Sequence, residues 1–483
     1  MRRLGRFGER VSRRLHRAAL LLAVLLAAVG GLLIAGIVWW LLWLFLGAKA
    51  ETPNQVDLTK IALTVTAGVG GAVALVVSYR KQRDQERARF AELFGAAAKQ
   101  LGDPDVAVRI AGVYAMAGVA DEFGAPGRRQ QCIDVLCGYL RLPYEPDAGA
   151  DHLVSRSESS EVNGVAVERR YQFRQNDREV RRAIVDVIVA HVRPSAETSW
   201  SDRDFDFADA ILEDADFRYA VFSGERTYFA RAVFIGSRAT TFEYTKFTGR
   251  YVSFRDTLFR GVRTLFDDVT FALRDSARTE IRGAGLKFDG AIFSSPVSFH
   301  RSVFRGSAVW FRGTTFRGER TSFAEARFLA ERVEFGAATF EGAHVDFDRA
   351  IFGGSHIDIS AVLFHAASTS FAQASFGNPG GRLRRFGSAT GSVRFDGAEF
   401  HGDVSFAHAR LGGREVSFRG GDFFGAVTFA GTRFQAREVR FDRPKAWLGV
   451  TFDWDGQPGG KPASVKPDEW PPAPAEPQPA PSG

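Results

Sequence analysis

The 483-residue chain has only two cysteines and two methionines. Cys132 and Cys137 stand five apart in a predicted helix, hence on different faces. That spacing does not suit a disulfide, gives no metal-ligand pattern, and fits a reducing compartment. Also absent are a phosphate-binding glycine loop, a Cys-x-x-Cys pair, a His-Glu-x-x-His helix and a nucleophile elbow. Nine histidines are scattered along the chain; His300, His365 and His401 each follow a repeated Phe and read as outward surface decoration. Asp346 and Asp348, on either side of Phe347, read the same way. Nothing assembles an acid, a base and an anion hole. The expectation is a non-enzyme with no catalytic residue, no cofactor site and no metal site.

Strong charge is missing from most of the chain as well. The formal net charge is +7, but residues 1–100 hold 15 Lys/Arg against 6 Asp/Glu, whereas residues 201–450 hold 34 against 30. The basic character belongs to the N-terminal end, which argues against nucleic-acid binding by the rest.

Residues 1–17 carry seven arginines, and Ala18 to Leu46 then runs without a charge. A helix needs about 20 residues to cross the hydrocarbon core. Trp39, Trp40 and Trp43 fall at the far end of this run, where interfacial aromatics belong. After a short loop at 47–60, a second apolar run from Ile61 to Tyr79 leads directly into Arg80, Lys81 and Arg83. Both flanks are basic, so the positive-inside rule places both termini in the cytoplasm. A cleaved signal peptide is the competing reading for the first run, but signal h-regions are only about 7–15 residues long. For the second run the competitor is a buried helix rich in Gly, Ala and Thr. The expectation is a transmembrane hairpin, 18–46 and 61–79, in the cell membrane.

Residues 80–200 read as a helical connector. Asp103 is the expected N-cap of a helix over 106–123, with Pro104 in its first position. A second helix is expected over 128–140, and a third over 176–191, opened by Asn176 and Glu179 as a capping box. Val106, Ile110, Val113, Tyr114 and Ala117 give the first its apolar side. The stretch from Asp103 to Ala115, with Arg109, looks like a HEAT-type helical unit. Residues 145–172 are polar and read as a loop.

What the chain has in excess is phenylalanine, 44 copies. From about Phe205 to Phe452 these come in pairs, such as Phe323 with Phe328 and Phe347 with Phe352. Spacing is five within a pair and seven between pairs, so two pairs make 24 residues. Counting by 24 puts Phe323, Phe347, Phe371 and Phe395 on one ladder, and Phe328, Phe352, Phe376 and Phe400 on another. A small residue often stands two before the second Phe (Ala326, Ala350), and a Gly two after it (Gly318, Gly342). Such periodicity means a solenoid. Each buried Phe contributes about 1.5–3 kcal/mol before entropy is subtracted. Around Phe217 and Phe222 the spacing is strictly five. Leu383, Ile359 and Leu411 take Phe positions, while 274–282 and 379–385 break the rhythm and read as protrusions. From 455 to 483 the chain is Pro-rich and reads as a disordered tail.

Ala215-Asp216-Phe217-Arg218-Tyr219 resembles the unit of the pentapeptide-repeat proteins, Ala-(Asp/Asn)-(Leu/Phe)-x-x. The resemblance implies a mainly β fold, a right-handed quadrilateral β-helix, over 201–454; two residues added at alternate corners give about ten coils of 24. The order of hairpin, helices and Phe-rich repeats is similar to membrane-anchored pentapeptide-repeat proteins of high-GC bacteria. It implies a non-enzymatic scaffold that contacts the bilayer and a protein partner not yet identified. The alternative implied by the same family is a DNA mimic that binds type II topoisomerases. That role relies on an acidic rod, which residues 201–450 do not supply.

Overall fold

A computed structural model describes residues 33, 36, 37, 39–41, 44, 54–146, 154–274, 285–377, 391–457 and 460–473. The chain divides into two units, Met1–Leu93 and Phe94–Gly483. Most of the expected first span, 18–46, and the basic tail before it lie outside the described residues, as does Trp43. Trp39 and Trp40 are helical and exposed. The expected second span lies in α1, Asn54–Leu101, a single helix of 48 residues. Among the described residues, no helix is long and apolar enough to cross a membrane.

The second unit begins with the last turns of α1, followed by α2 (Val106–Glu122) and α3 (Pro126–Leu140). A Cβ on Gly112 would lie 2.7 Å from the backbone N of Leu101, so only glycine lets α2 approach the end of α1 this closely. The cap of α2 is Asp105, not Asp103: its carboxylate accepts the Ala107 N–H at 2.7 Å, while Asp103 accepts the N–H of Asp105. Tyr114, expected on the apolar side, is exposed; Val113, Met116, Ala117 and Ala120 make the packed face.

The expected loop at 145–172 is largely a β-hairpin. Strands β1 (Ser155–Val162) and β2 (Val165–Gln172) pair antiparallel around Asn163-Gly164. Both turn residues have positive φ, 53° and 78°, the geometry that Asn-Gly favours between two strands. The polar composition hid this, because both faces of the hairpin are mostly exposed.

Helix α4 (Asp177–Val192) follows. Asn176 precedes it with φ of 52° and makes no side-chain cap bond, so the expected capping box does not form. Asp177 instead anchors a buried cluster. It accepts from Arg109 Nη1 at 2.6 Å and from Arg181 Nε at 2.8 Å, and Tyr139 donates its hydroxyl to the same carboxylate. Arg109 also donates to the Gln175 carbonyl, and Arg181 to those of Leu140 and Leu142. Three helices and the loop before α4 are thus tied through one carboxylate. Burial, and then the bond to Asp177, pushes the Tyr139 hydroxyl pKa up.

The rest of the unit is a solenoid of parallel strands in four sheets. Sheet 1 runs from Phe205–Asp206 to Val465–Lys466 through 11 strands, and sheet 2 from Ile211–Glu213 to Ala446–Trp447 through 10. Sheet 3 runs from Thr240–Thr241 to Val450–Thr451, and sheet 4 from Val221–Phe222 to Arg433–Phe434, through nine each. Phe316 pairs with Phe340 and Phe340 with Phe364, which is the 24-residue coil. Phe rings stack from coil to coil: Phe299 on Phe323 at 4.7 Å and Phe323 on Phe347 at 4.9 Å. Across the core they meet edge to face, as Phe323 does with Phe335 at 87°.

The two spacings correspond to two kinds of corner. Within a pair, the residue two after the first Phe turns left-handed; Arg231, Glu325 and Arg349 have φ of 57–58°. Two before the second Phe stands a small residue, and where it is Thr its hydroxyl donates to the Phe carbonyl of the preceding coil. Thr245, Thr257 and Thr432 do so to Phe217, Phe229 and Phe406, each at 2.7 Å. At the seven-residue corners a Cβ on Gly342 would fall 1.9 Å from the Gly318 carbonyl O. Close approach between coils requires glycine at that point, and at the equivalent Gly236 and Gly306 a φ of 131° and 130° requires it as well.

The ladders differ from the count by 24. Phe371 stacks on Phe406 at 4.9 Å, and Phe376 pairs with Leu411. Phe395 belongs to the column of Ile359, because its strand, Ser392–Arg394, pairs with His356–Asp358. Phe400 lies on Phe364. Phe376 and Phe395 are 19 apart where the corner needs seven, and the surplus of 12 is half a coil. Spacing was therefore preserved while the face changed. A similar surplus separates Phe271 from Phe288, and both fall at the corner between sheets 4 and 1. Residues 275–284 and 378–390, including Leu383, lie outside the described residues.

The ends of the core are covered. Trp200 is fully buried at the start, its Nε1 donating to Asp121 at 2.8 Å and its ring stacked on His191 at 4.0 Å. At the other end the described part of the expected disordered tail instead supplies the last strand of sheet 1, Val465–Lys466, while residues 474–483 lie outside the described residues. Trp470 then packs against Phe441, Trp447, Phe452 and Trp454.

Asp177→Ala leaves Arg109 and Arg181 buried without a counter-charge and is expected to cost about 3–5 kcal/mol, read by chemical denaturation; wild-type stability would show the cluster is dispensable. Phe323→Ala is expected to cost about 3–5 kcal/mol. Contacts reach only neighbouring coils, so hydrogen exchange should rise in the coils on either side while the helices keep their protection.

Candidate functional site

Among the described residues, the solenoid interior is filled by side chains. Phe217, Phe222, Phe323, Phe328, Phe347, Phe352, Phe371, Phe376, Phe395 and Phe400 are all buried, and their rings fill the core. Cys132 and Cys137 are buried free thiols, with burial pushing their pKa up to about 11 and about 12. Neither is available as a nucleophile at neutral pH. The outward positions of the coils carry most of the polar and charged side chains.

Those positions carry charge that is largely settled between coils. Arg231 pairs with Asp209 and Arg301 with Asp268 at 2.6 Å, Arg349 with Glu325 at 2.9 Å, and Arg312 with Asp289 at 3.0 Å. Each exposed pair contributes little to stability, but together they set Arg and carboxylate side by side on successive coils. Asp346 and Asp348 are part of the same stitching: Asp348 accepts from Ser370 and from the Ala372 N–H of the next coil, and Asp346 from the Asp348 N–H. Burial pushes the Asp346 carboxyl pKa up.

Two surface depressions stand out among the described residues. One, of about 250 Å³, lies where α4 meets the first coils, and its Arg178 is held by Glu213 at 3.1 Å. The other, of about 330 Å³, is a shallow trough over the last coils of sheet 3. It is lined by small residues, among them Ser368, Ser370, Ser405, Thr428 and Gly449.

The histidines do not remain scattered. His344 Nδ1 lies 2.8 Å from Ser368 Oγ, and His356 Nε2 lies 2.8 Å from Arg394. His365 and His401 come together on sheet 2, their rings stacked 4.3 Å apart. Glu399 Oε2 is 3.3 Å from His401 Nε2, and the donor atoms of the three residues lie within 4.8 Å of one another. The sequence count missed this group for a definite reason. His365 and His401 are 36 apart, one and a half coils of 24, which would place them on opposite faces. The 12-residue surplus before Phe395 makes them neighbours instead.

Residues 288–331 match the family model described as pentapeptide repeats (9 copies). No curated protein and no solved structure matches the chain.

Proposed function

We propose that the protein is a non-enzymatic scaffold, its β-solenoid presenting outer faces for protein–protein contact and its N-terminal segment held in the cell membrane. The observation that carries this is the filled core: the residues that repeat are consumed by Phe stacking, and only outward side chains are left to recognise anything. The pentapeptide-repeat match and the β-solenoid support a repeat scaffold. The shallow trough over sheet 3 suits a flat protein surface or an extended peptide better than a small molecule, which prefers a deeper cleft.

Membrane attachment rests on the two uncharged runs and their basic flanks. It draws support from the apolar side chains exposed at the N-terminal end: Leu33, Ile37, Trp40, Leu44, Leu75 and Val76. In this reading both termini are cytoplasmic and the solenoid stands on the inner side of the membrane. Topoisomerase binding by DNA mimicry draws no support from a face stitched by Arg–carboxylate pairs.

Affinity capture from membranes in mild detergent is expected to yield a specific partner, which Ser405→Arg with Thr428→Arg in the trough removes. Stoichiometric inhibition of gyrase supercoiling would replace this reading with mimicry. The protein is expected to stay in the pellet after alkaline carbonate extraction; release into the supernatant would remove the anchor from the proposal.

A further inference from the structure

We propose that His365, Glu399 and His401 bind one divalent first-row transition-metal ion of the Zn2+ class on the outer face of sheet 2. This does not depend on the scaffold reading. The backbone places the donors. Leu363 pairs with Glu399 and Phe364 with Phe400, so His365 and His401 leave consecutive coils at equivalent positions. The His401 N–H donates to the Phe364 carbonyl at 3.0 Å, fixing that register next to the site. Glu399 lies two before His401 in an extended strand and therefore points to the same side.

The donor chemistry suits such an ion. Two imidazole nitrogens and one carboxylate oxygen are ligands that zinc and its neighbours accept, at about 2.0–2.2 Å each. Donors of one tetrahedral ion then stand roughly 3.3 Å apart. Glu399 and His401 are already at 3.3 Å, and the imidazole of His365 is stacked at 19° to that of His401. An imidazole binds through a lone pair in its ring plane, so the exposed His365 must turn out of the stack to bring its nitrogen, now within 4.8 Å of the other donors, to the same ion. On its other side the His401 ring lies against Phe424 at 4.8 Å, which limits its swing.

These donors are also free for the purpose. Among the described residues, the His365 ring nitrogens have no hydrogen-bond partner, unlike those of His344 and His356. The next carboxylate in the column, Glu341, is held by Arg317 at 3.1 Å. Three protein donors remain, leaving a coordination position for water or for a group supplied by a partner.

The plain alternative is a decorative stack of two imidazoles and a phenyl ring. Titration of the full-length, untagged protein in detergent with ZnCl2 by calorimetry, and with Co2+ by its visible absorption, separates the two. One ion per chain is expected. His365→Ala and His401→Ala should each weaken binding by about tenfold or more, the double variant should bind none at this site, and His300→Ala should bind as wild type. His365→Gln and His401→Gln, which keep a polar side chain on the strand, should reproduce the loss if an alanine disturbs the coil. Absence of binding to the wild type, or equal binding by the double variant, overturns the proposal.

Discussion

Everything in the solenoid depends on one coincidence of lengths. Parallel strands in a sheet lie about 4.8 Å apart, and flat aromatic rings stack at nearly the same distance. Phe299, Phe323 and Phe347 can therefore sit directly over one another, 4.7 and 4.9 Å apart, without tilting out of their coils. A branched aliphatic side chain fills the column too, as Ile359 and Leu411 show, but makes no ring stack. Five- and seven-residue corners follow from this, since each must return the chain to the next column at the right height. The left-handed residue serves the short corner, and the glycine without a Cβ serves the long one.

A stack of this kind has two open ends, and the chain closes both with tryptophan. Trp200 is held by Asp121 and His191 beneath the first coil, and Trp470 lies across the last. The helices at the first end are bound to each other by buried charge as well as by apolar packing. One carboxylate, that of Asp177, serves two guanidinium groups and a phenol. Such a cluster is weak evidence of added stability, because the charges had to be desolvated. It does fix the relative placement of α2, α3 and α4, on which the first coil rests.

Most of the β-solenoid could be read from the Phe spacing, because a core position recurring every coil leaves its mark on the sequence. Burial of Phe217 and Phe323 follows from that rhythm alone. What could not be read was anything that depends on absolute position along the stack. The half-coil surplus before Phe395 keeps the 24-residue count intact, so counting assigns Phe395 and Phe400 to the wrong columns and separates His365 from His401. The hairpin at 155–172 was legible in Asn163-Gly164, but its exposed faces lack the alternation that marks a buried strand. The tail from Asp455 looks like solvated chain because its Val465 and Trp470 are too few and too irregularly spaced to declare a core. Asp103 and Asn176 had the composition of caps; the backbone geometry gave Asp105 that role and left Asn176 without one.

The surplus segments at the corner between sheets 4 and 1 give the outer surface an unusual property. Every outward side chain has an address made of a coil and a face, and its neighbours are set by address alone. Sequence length is decoupled from address at that corner: residues can enter there while the strands on either side keep their hydrogen bonds. Positions far apart in the gene thus become adjacent on one face, as His365 and His401 are. The lattice can be edited one address at a time.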